Sequence, residues 1–209
     1  MSRRARCERT VHKEIRLSNP KFEFRIQNLP MPIEVEKKYR LTPKQQVEVR
    51  ERLPEIGAQC EGKEFEENTL YTGEAIELEQ IVLRLRRVGD RALLTYKQRV
   101  GERTDIKQQL ELETEVSNPE ALEFILEALG FFPAAVYEKR RETWRLGATE
   151  IVIDELPFGL FMEIEGEEQA IREIESKLGI QGLEAEPLTY PRLTRQHGVN
   201  VAGVIEARF

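Results

Sequence analysis

Eight strand-like and three helix-like segments in a hairpin-rich order predict an α+β fold: one antiparallel sheet, strongly curved or closed into a barrel, with helices packed outside. Two observations carry this. Apolar and charged residues alternate with period two along most of the strand-like segments, so each has one face for a core and one for polar groups. Short turns separate these segments, which favours antiparallel pairing over the crossovers of about a dozen residues that parallel strands need.

The elements follow in chain order. Ile33–Arg40 alternates, with Ile33, Val35 and Tyr39 on one face and Glu34, Glu36, Lys38 and Arg40 on the other. Thr42 then reads as a helix cap, with Pro43 at the first helical position and Gly57 as the stop. Pro54 is expected to kink or shorten that helix. Asn68–Thr72 reads as a short strand, and Ile81–Val88 with Arg91–Val100 as a hairpin around Gly89-Asp90. Gln108–Val116 sets Leu110 and Leu112 against Glu111 and Glu113. Asn118-Pro119 opens a second helix carrying Leu122, Ile125, Leu126 and Leu129, closed by Gly130. Tyr137–Leu146, Thr149–Leu156 and Leu160–Glu165 complete the strands, and Ile171, Ile174 and Leu178 form the apolar stripe of a third helix ended by Gly179. Trp144, Phe131 and Phe132 read as packing residues.

Composition excludes several classes. The longest charge-free runs, Ala128–Tyr137 and Gln196–Ile205, are ten residues long, too short for a membrane helix of about 20. Cys7 and Cys60 are the only cysteines and His12 and His197 the only histidines, so a disulfide scaffold, a zinc site and a histidine triad lack their parts. Reduced thiols point to the cytoplasm. Any chemistry falls to carboxylates, lysines and arginines. No glycine-rich phosphate loop is present.

The charge is uneven: residues 1–30 carry a net +5, and the rest of the chain −11. The first 30 residues show no sustained period, and we expect a disordered basic extension or sequence ahead of a start at Met31; a nucleic-acid arm or a transit peptide is the alternative. A chain beginning at Met31 is expected to fold and keep its activity. Residues 31–198 read as one domain and 199–209 as a frayed tail.

The informative feature is how charges sort along the strands. Glu34/Glu36, Arg84/Arg86, Glu111/Glu113, Lys139/Arg141 and Glu163/Glu165 are near-pure doublets at i, i+2 spacing, so both members share a face. Lys38, Lys97 and Asp154 add single charges. One such doublet reads as a solvated face. Five on successive strands suggest a shared lumen, where unpaired charges would be costly without a highly charged ligand. Carboxylate clusters suit Mg²⁺ or Mn²⁺, and clusters of Arg and Lys suit phosphate oxygens. Together they describe a metal–polyphosphate site.

Glu34-Val35-Glu36-Lys37-Lys38 resembles the ExExK signature of the CYTH superfamily, the triphosphate tunnel metalloenzymes. Leu83–Arg86, Leu94–Lys97, Glu111–Glu113, Lys139–Trp144, Ile153–Glu155 and Met162–Gly166 resemble its later motifs in the proper order, over Met31 to about Gln196. The resemblance implies an eight-stranded closed antiparallel tunnel that binds a triphosphate with a divalent metal. It assigns Arg84, Arg86, Lys97 and Arg141 to the triphosphate, with Lys139 and Lys38 beside them. Glu34, Glu36, Glu163 and Glu165 become metal ligands, joined by Asp154, Glu111 and Glu113. Lys38 is either a base or a plain phosphate or carboxylate partner, and Tyr71 either assists it or packs. Tyr190, Arg192 and Arg195 match loosely a segment that crosses the tunnel mouth.

Three functions fit this reading. The first is a Mg²⁺- or Mn²⁺-dependent hydrolase of tripolyphosphate, thiamine triphosphate or another organic triphosphate. The second is a class IV adenylate cyclase making cyclic AMP and pyrophosphate from ATP. The third is a non-catalytic polyphosphate- or nucleotide-binding module. The expected partner is therefore a small-molecule triphosphate, not a membrane or a nucleic acid. Oligomeric state stays open, with a homodimer as the assembly considered.

Overall fold

The computed structural model describes residues 33–76, 80–100 and 105–209, so the expectations for residues 1–30 and for a start at Met31 lie outside the described residues. The eight barrel strands are β1 (Ile33–Leu41), β2 (Gln59–Thr72), β3 (Ile81–Val88), β4 (Arg91–Arg99), β5 (Lys107–Glu115), β6 (Phe132–Leu146), β7 (Thr149–Leu156) and β8 (Gly159–Glu165). They run in the order β2-β3-β4-β5-β1-β8-β7-β6, and β2 pairs with β6 to close the ring. Every one of these pairings is antiparallel. The predicted closed barrel is thus the observed one.

Helices α1 (Pro43–Glu55), α2 (Pro119–Ala128), α3 (Glu168–Leu178) and α4 (Tyr190–His197) lie outside the barrel wall. None is long and apolar enough to cross a membrane. Local chemistry sets their ends. The Thr42 hydroxyl accepts from the Gln45 N–H while the Gln45 side chain accepts from the Thr42 N–H, a reciprocal cap for α1. Asn118 caps α2 by accepting from Ala121 N–H at 2.9 Å. Gly179 ends α3 at φ 66°, a left-handed conformation that costs glycine little. Pro54 sits in the last turn of α1 and does not break it.

Outward-facing Tyr39, Ile151, Ile153, Met162 and Ile164 pack against Val49 and Leu53 of α1 and Ile171, Ile174 and Leu178 of α3. This is the main core, and it fixes the alternate residues of β1, β7 and β8 towards the lumen. A smaller cluster puts Tyr71, Leu85 and Ala92 beneath Leu126 of α2. Beneath α3, the Glu175 carboxylate accepts from Lys37 Nζ at 2.8 Å and from the Tyr39 hydroxyl, while Lys37 also pairs with Asp105 at 2.8 Å. Removing Glu175 would leave Lys37 with the more exposed Asp105 alone and the buried Tyr39 hydroxyl without an acceptor. We expect Glu175→Leu to cost about 3 kcal/mol in urea unfolding; a loss below about 1 kcal/mol would mean α3 is held by apolar contact alone.

Several elements differ from the sequence expectation. Strand β2 starts at Gln59, not Asn68, because its first half is charged on both faces and shows no alternation. Strand β6 starts at Phe132, whose side chain is half exposed and outside the core. Helix α4 is additional. The expected frayed tail instead forms a hairpin, β9 (Val199–Val201) and β10 (Val204–Ala207), with β10 parallel to β6.

At one end, the inward side chains turn apolar. Leu70, Tyr137, Leu156 and Phe161 surround Tyr190 and Leu193 of α4, which plugs that end of the barrel.

Candidate active site

Parity and register place the doublets. Glu34, Glu36, Lys38, Arg84, Arg86, Lys97, Glu111, Glu113, Lys139, Arg141, Glu163 and Glu165 line one cavity of about 80 Å³. At roughly 10–15 Å³ per water it can hold several waters or one elongated polyanion. Asp154 joins the wall through its partners: Arg141 donates to its two oxygens at 2.8 and 2.6 Å.

The cations gather in the middle of the tunnel. Lys139 lies 3.3 Å from Glu66 and 3.5 Å from Asp154, and Arg86 Nε lies 3.4 Å from Glu66. Arg84 donates to the Thr95 hydroxyl at 3.3 Å, which donates on to Glu113 at 3.0 Å. Even so, the Nε groups of Arg84 and Arg86 are buried with no hydrogen bond among the described residues. Burial and the neighbouring Arg84 charge lower the Arg86 pKa, with Glu66 opposing. Burial pushes Lys139 down to about 8, helped by Arg141. Burial of Arg84 and Arg141 is instead outweighed by Tyr137 and Glu66 and by Asp154, so the unmet demand for an anion centres on Arg86 and Lys139, and the cluster as a whole suits a phosphate chain.

Lys38 has its donors in use. Its ammonium group lies 3.2 Å from Glu163, donates to Leu188 O at 3.3 Å and sits 3.7 Å from the ring centroid of Tyr190. Of the contacts expected for it, the one made in this structure is to a carboxylate. Glu163 also accepts from Arg141 at 2.9 Å. Burial of Glu163 is outweighed by Lys38 and Arg141, which hold its pKa far below the usual range.

The acids at the other end are different. Register sets Glu165 opposite both Glu36 and Glu150, acid against acid. Lys97 lies 2.6 Å from Glu34 and 3.8 Å from Glu111, and Lys107 lies 3.5 Å from Glu36. These cations do not offset the crowding. Burial, opposed by Lys97 and joined by Glu150, Glu111 and Glu36, lifts Glu165 to about 7, and Glu34 is raised for the same reasons. A carboxylate raised from its ordinary 4.5 binds more protons folded than unfolded between that value and about 7, so its contribution falls as pH rises through that window. The melting temperature of Glu165→Gln minus that of wild type, in chelator, is therefore expected to grow between about pH 4.5 and 7. A flat difference would show that Glu165 is solvated.

Among the described residues, no three His, Cys, Asp or Glu side chains form a ready-made ligand set. The fit to a divalent ion lies in the donor chemistry. Glu34, Glu36 and Glu165 offer hard oxygens whose mutual repulsion a cation relieves.

Tyr71 is a correction. It faces away from the lumen into the cluster under α2, so it does not reach Lys38 and belongs to the packing. The tyrosine beside Lys38 is Tyr190. The sequence reading also missed Glu66, Lys107, Gln109 and Glu150. Glu66 is 1% exposed, and although burial works against its charge, Lys139, Arg86 and Arg141 hold its pKa far below the usual range. It was hidden in the run Glu64–Glu67, whose inward members are visible only once Lys139 is known to face Glu66. Lys107 lies inward opposite Glu36, two residues before Gln109, and no doublet signals it.

No curated protein matches the sequence. Among solved structures, the PH1012 protein of Pyrococcus horikoshii is 25% identical with a TM-score of 0.68, covering 77% of this chain and 98% of its own. The PH1819 protein of the same organism is 25% identical with a TM-score of 0.63, covering 78% and 98%. HpAC1 from Hippeastrum, an adenylyl cyclase candidate described as having a dominant triphosphatase activity, shares the fold at 18% identity and a TM-score of 0.62, covering 80% and 97%. The CYTH domain model matches residues 32–190, the span that builds the barrel and ends on the tyrosine plugging it. The chain belongs to the CYTH domain family.

Proposed function

We propose that this protein is a divalent-metal-dependent triphosphatase, hydrolysing a phosphoanhydride bond of inorganic or organic triphosphate within the tunnel. The observation that carries the reading is the pair Arg84 and Arg86, buried and facing a cavity with their Nε donors unused among the described residues. Burial and the Arg84 charge work against the Arg86 cation in spite of Glu66, and a bound anion would offset that cost while meeting the open Nε donor of each arginine. A triphosphate laid along the tunnel would meet Arg84 and Arg86 on one wall and Lys139 and Arg141 on the next. These groups stay fixed as charge spreads over the transferring phosphoryl group, so they stabilise it without reorganising.

Glu34, Glu36 and Glu165, with Glu111 nearby, would hold the Mg²⁺ or Mn²⁺. When bound, the metal supplies further neutralisation of the phosphate oxygens. Lys38 and Arg141 keep Glu163 ionised between them, as Lys139 and Arg86 do Glu66. The dominant triphosphatase activity described for HpAC1 agrees with this reading.

The test is to incubate the purified protein with tripolyphosphate, thiamine triphosphate and ATP, with Mg²⁺ and Mn²⁺ separately, and to identify the products. Orthophosphate release is expected. Cyclic AMP with pyrophosphate would replace the hydrolase by a cyclase. Tight binding with no product would leave a binding module.

A further inference from the structure

Tyr190 belongs to none of the charged doublets, yet it touches two of the tunnel's charges, Lys38 and Asp154. It is 5% exposed and wedged among Phe161, Tyr137 and Leu193 at the plugged end. Its ring lies 3.7 Å from Lys38 Nζ, and its hydroxyl donates to Asp154 Oδ2 at 2.9 Å. Asp154 is gripped in turn by two donors of Arg141, from Nε and Nη2. Lys38 and Arg141 meet again on Glu163, at 3.2 and 2.9 Å. The contacts close a circuit: Tyr190, Lys38, Glu163, Arg141, Asp154 and back to Tyr190.

A circuit of this kind restricts rotamers. Lysine and arginine side chains carry several free torsions, and each must be frozen for a binding site to be preorganised. Lys38 receives a π face, a carboxylate and the Leu188 carbonyl, which leaves one orientation satisfied. Asp154 is held by Arg141 from one side and the Tyr190 hydroxyl from the other, so the Arg141 guanidinium has a fixed plane. The segment leading into α4 adds a main-chain bond from Glu186 N–H to Lys38 O at 2.8 Å, so this corner of the barrel is tied to the plug by backbone as well.

We propose that Tyr190 is a positioning residue: docking of α4 through this one side chain sets the orientation of Lys38 and Arg141 that an incoming triphosphate meets. The inference rests on the triphosphate reading of the tunnel. It gives α4 a role beyond covering apolar surface, since the plug and the polyanion seat then form one unit.

The experiment uses the full chain, inorganic tripolyphosphate and a metal chelator, with affinity read by calorimetry. Side-chain NMR of Lys38 provides a second readout, because a ring this close shifts its ε protons upfield. Tyr190→Phe keeps the ring and loses the hydroxyl; it should retain the shifted signal and bind about tenfold more weakly. Tyr190→Leu should lose the shift and bind roughly 100-fold more weakly. Leu193→Ala loosens the α4 packing without touching the cations, so it should lower the melting temperature and leave affinity unchanged at temperatures where it is folded. Wild-type affinity in both Tyr190 variants, an unshifted Lys38 signal in wild type, or equal losses in Leu193→Ala and Tyr190→Leu would each overturn the proposal. Should Tyr190→Leu not fold, Tyr190→Phe and the wild-type spectrum still decide. Arg84→Ala separates the two readings. If it loses tripolyphosphate while the Tyr190 variants do not, only the positioning role falls; if it too binds like wild type, the triphosphate reading falls.

Discussion

Arg84→Ala and Arg86→Ala are each expected to weaken triphosphate binding by about 2–5 kcal/mol, the usual cost of removing one member of a buried, desolvated charge contact. At about 1.4 kcal/mol per decade this is a loss of roughly 30-fold to several thousandfold, well within reach of calorimetry. The two variants should differ in stability. Burial and the Arg84 charge both disfavour the Arg86 cation, so Arg86→Ala should leave the ligand-free protein as stable as wild type or more so. For Arg84, burial is outweighed by Tyr137 and Glu66, which favour its charge, so its removal should bring no such gain. Chemical unfolding in chelator checks this. Unchanged affinity in both variants would mean that the arginine doublet does not face the ligand.

Glu165→Gln is expected to reduce turnover by about 100-fold or more, because it keeps the shape of a side chain placed to meet a divalent ion and removes the charge that ion requires. Raised Mn²⁺ should restore part of the loss. Metal-free triphosphate binding should survive or tighten, since one acid fewer repels the anion. Glu163→Gln should also collapse turnover, with a different signature. Its carboxylate joins Lys38 to Arg141, so the variant takes the carboxylate partner from Lys38 and leaves Arg141 with Asp154, and metal-free binding should tighten more than in Glu165→Gln. Turnover and metal dependence near wild type in both variants would sink the assignment of this strand to catalysis.

What could be read in advance follows from which faces carry contrast. Strands β1, β3, β5 and β8 set apolar residues against charges, so their period and their inward doublets were legible from the sequence, as was β7 with its single Asp154. The first half of strand β2 was not, because Gln59–Phe65 is exposed on both faces and only Glu66 turns in to the cations of β6, so no contrast marks the period. Its lost half took Glu66 with it. The same loss explains Tyr71. Had Glu66 been known to face inward, counting by two through Asn68 and Leu70 would have turned Tyr71 outward. Helix α4 is one short run opened by Tyr190-Pro191, with too few turns for an apolar stripe to stand out. The tail hairpin escaped notice because its pairing with β6 is a tertiary choice that no local pattern records.

The long β2–β6 seam has a kinetic consequence. Its two strands, 14 and 15 residues long, are separated in the chain by three other barrel strands and make the longest pairing in the wall, so closing this non-local seam orders the most backbone at once. Until it forms, the sheet is open and Glu66, Lys139 and Arg141 remain in water. Zipping the seam is the moment at which these charges lose hydration, so ordering and dehydration fall on one late step. A tripolyphosphate ion, which needs the closed wall, can stabilise only what lies beyond that step. In stopped-flow experiments it should slow unfolding in proportion to its affinity and leave the refolding rate unchanged, so the ligand would act as a latch on a barrel that assembles without its help.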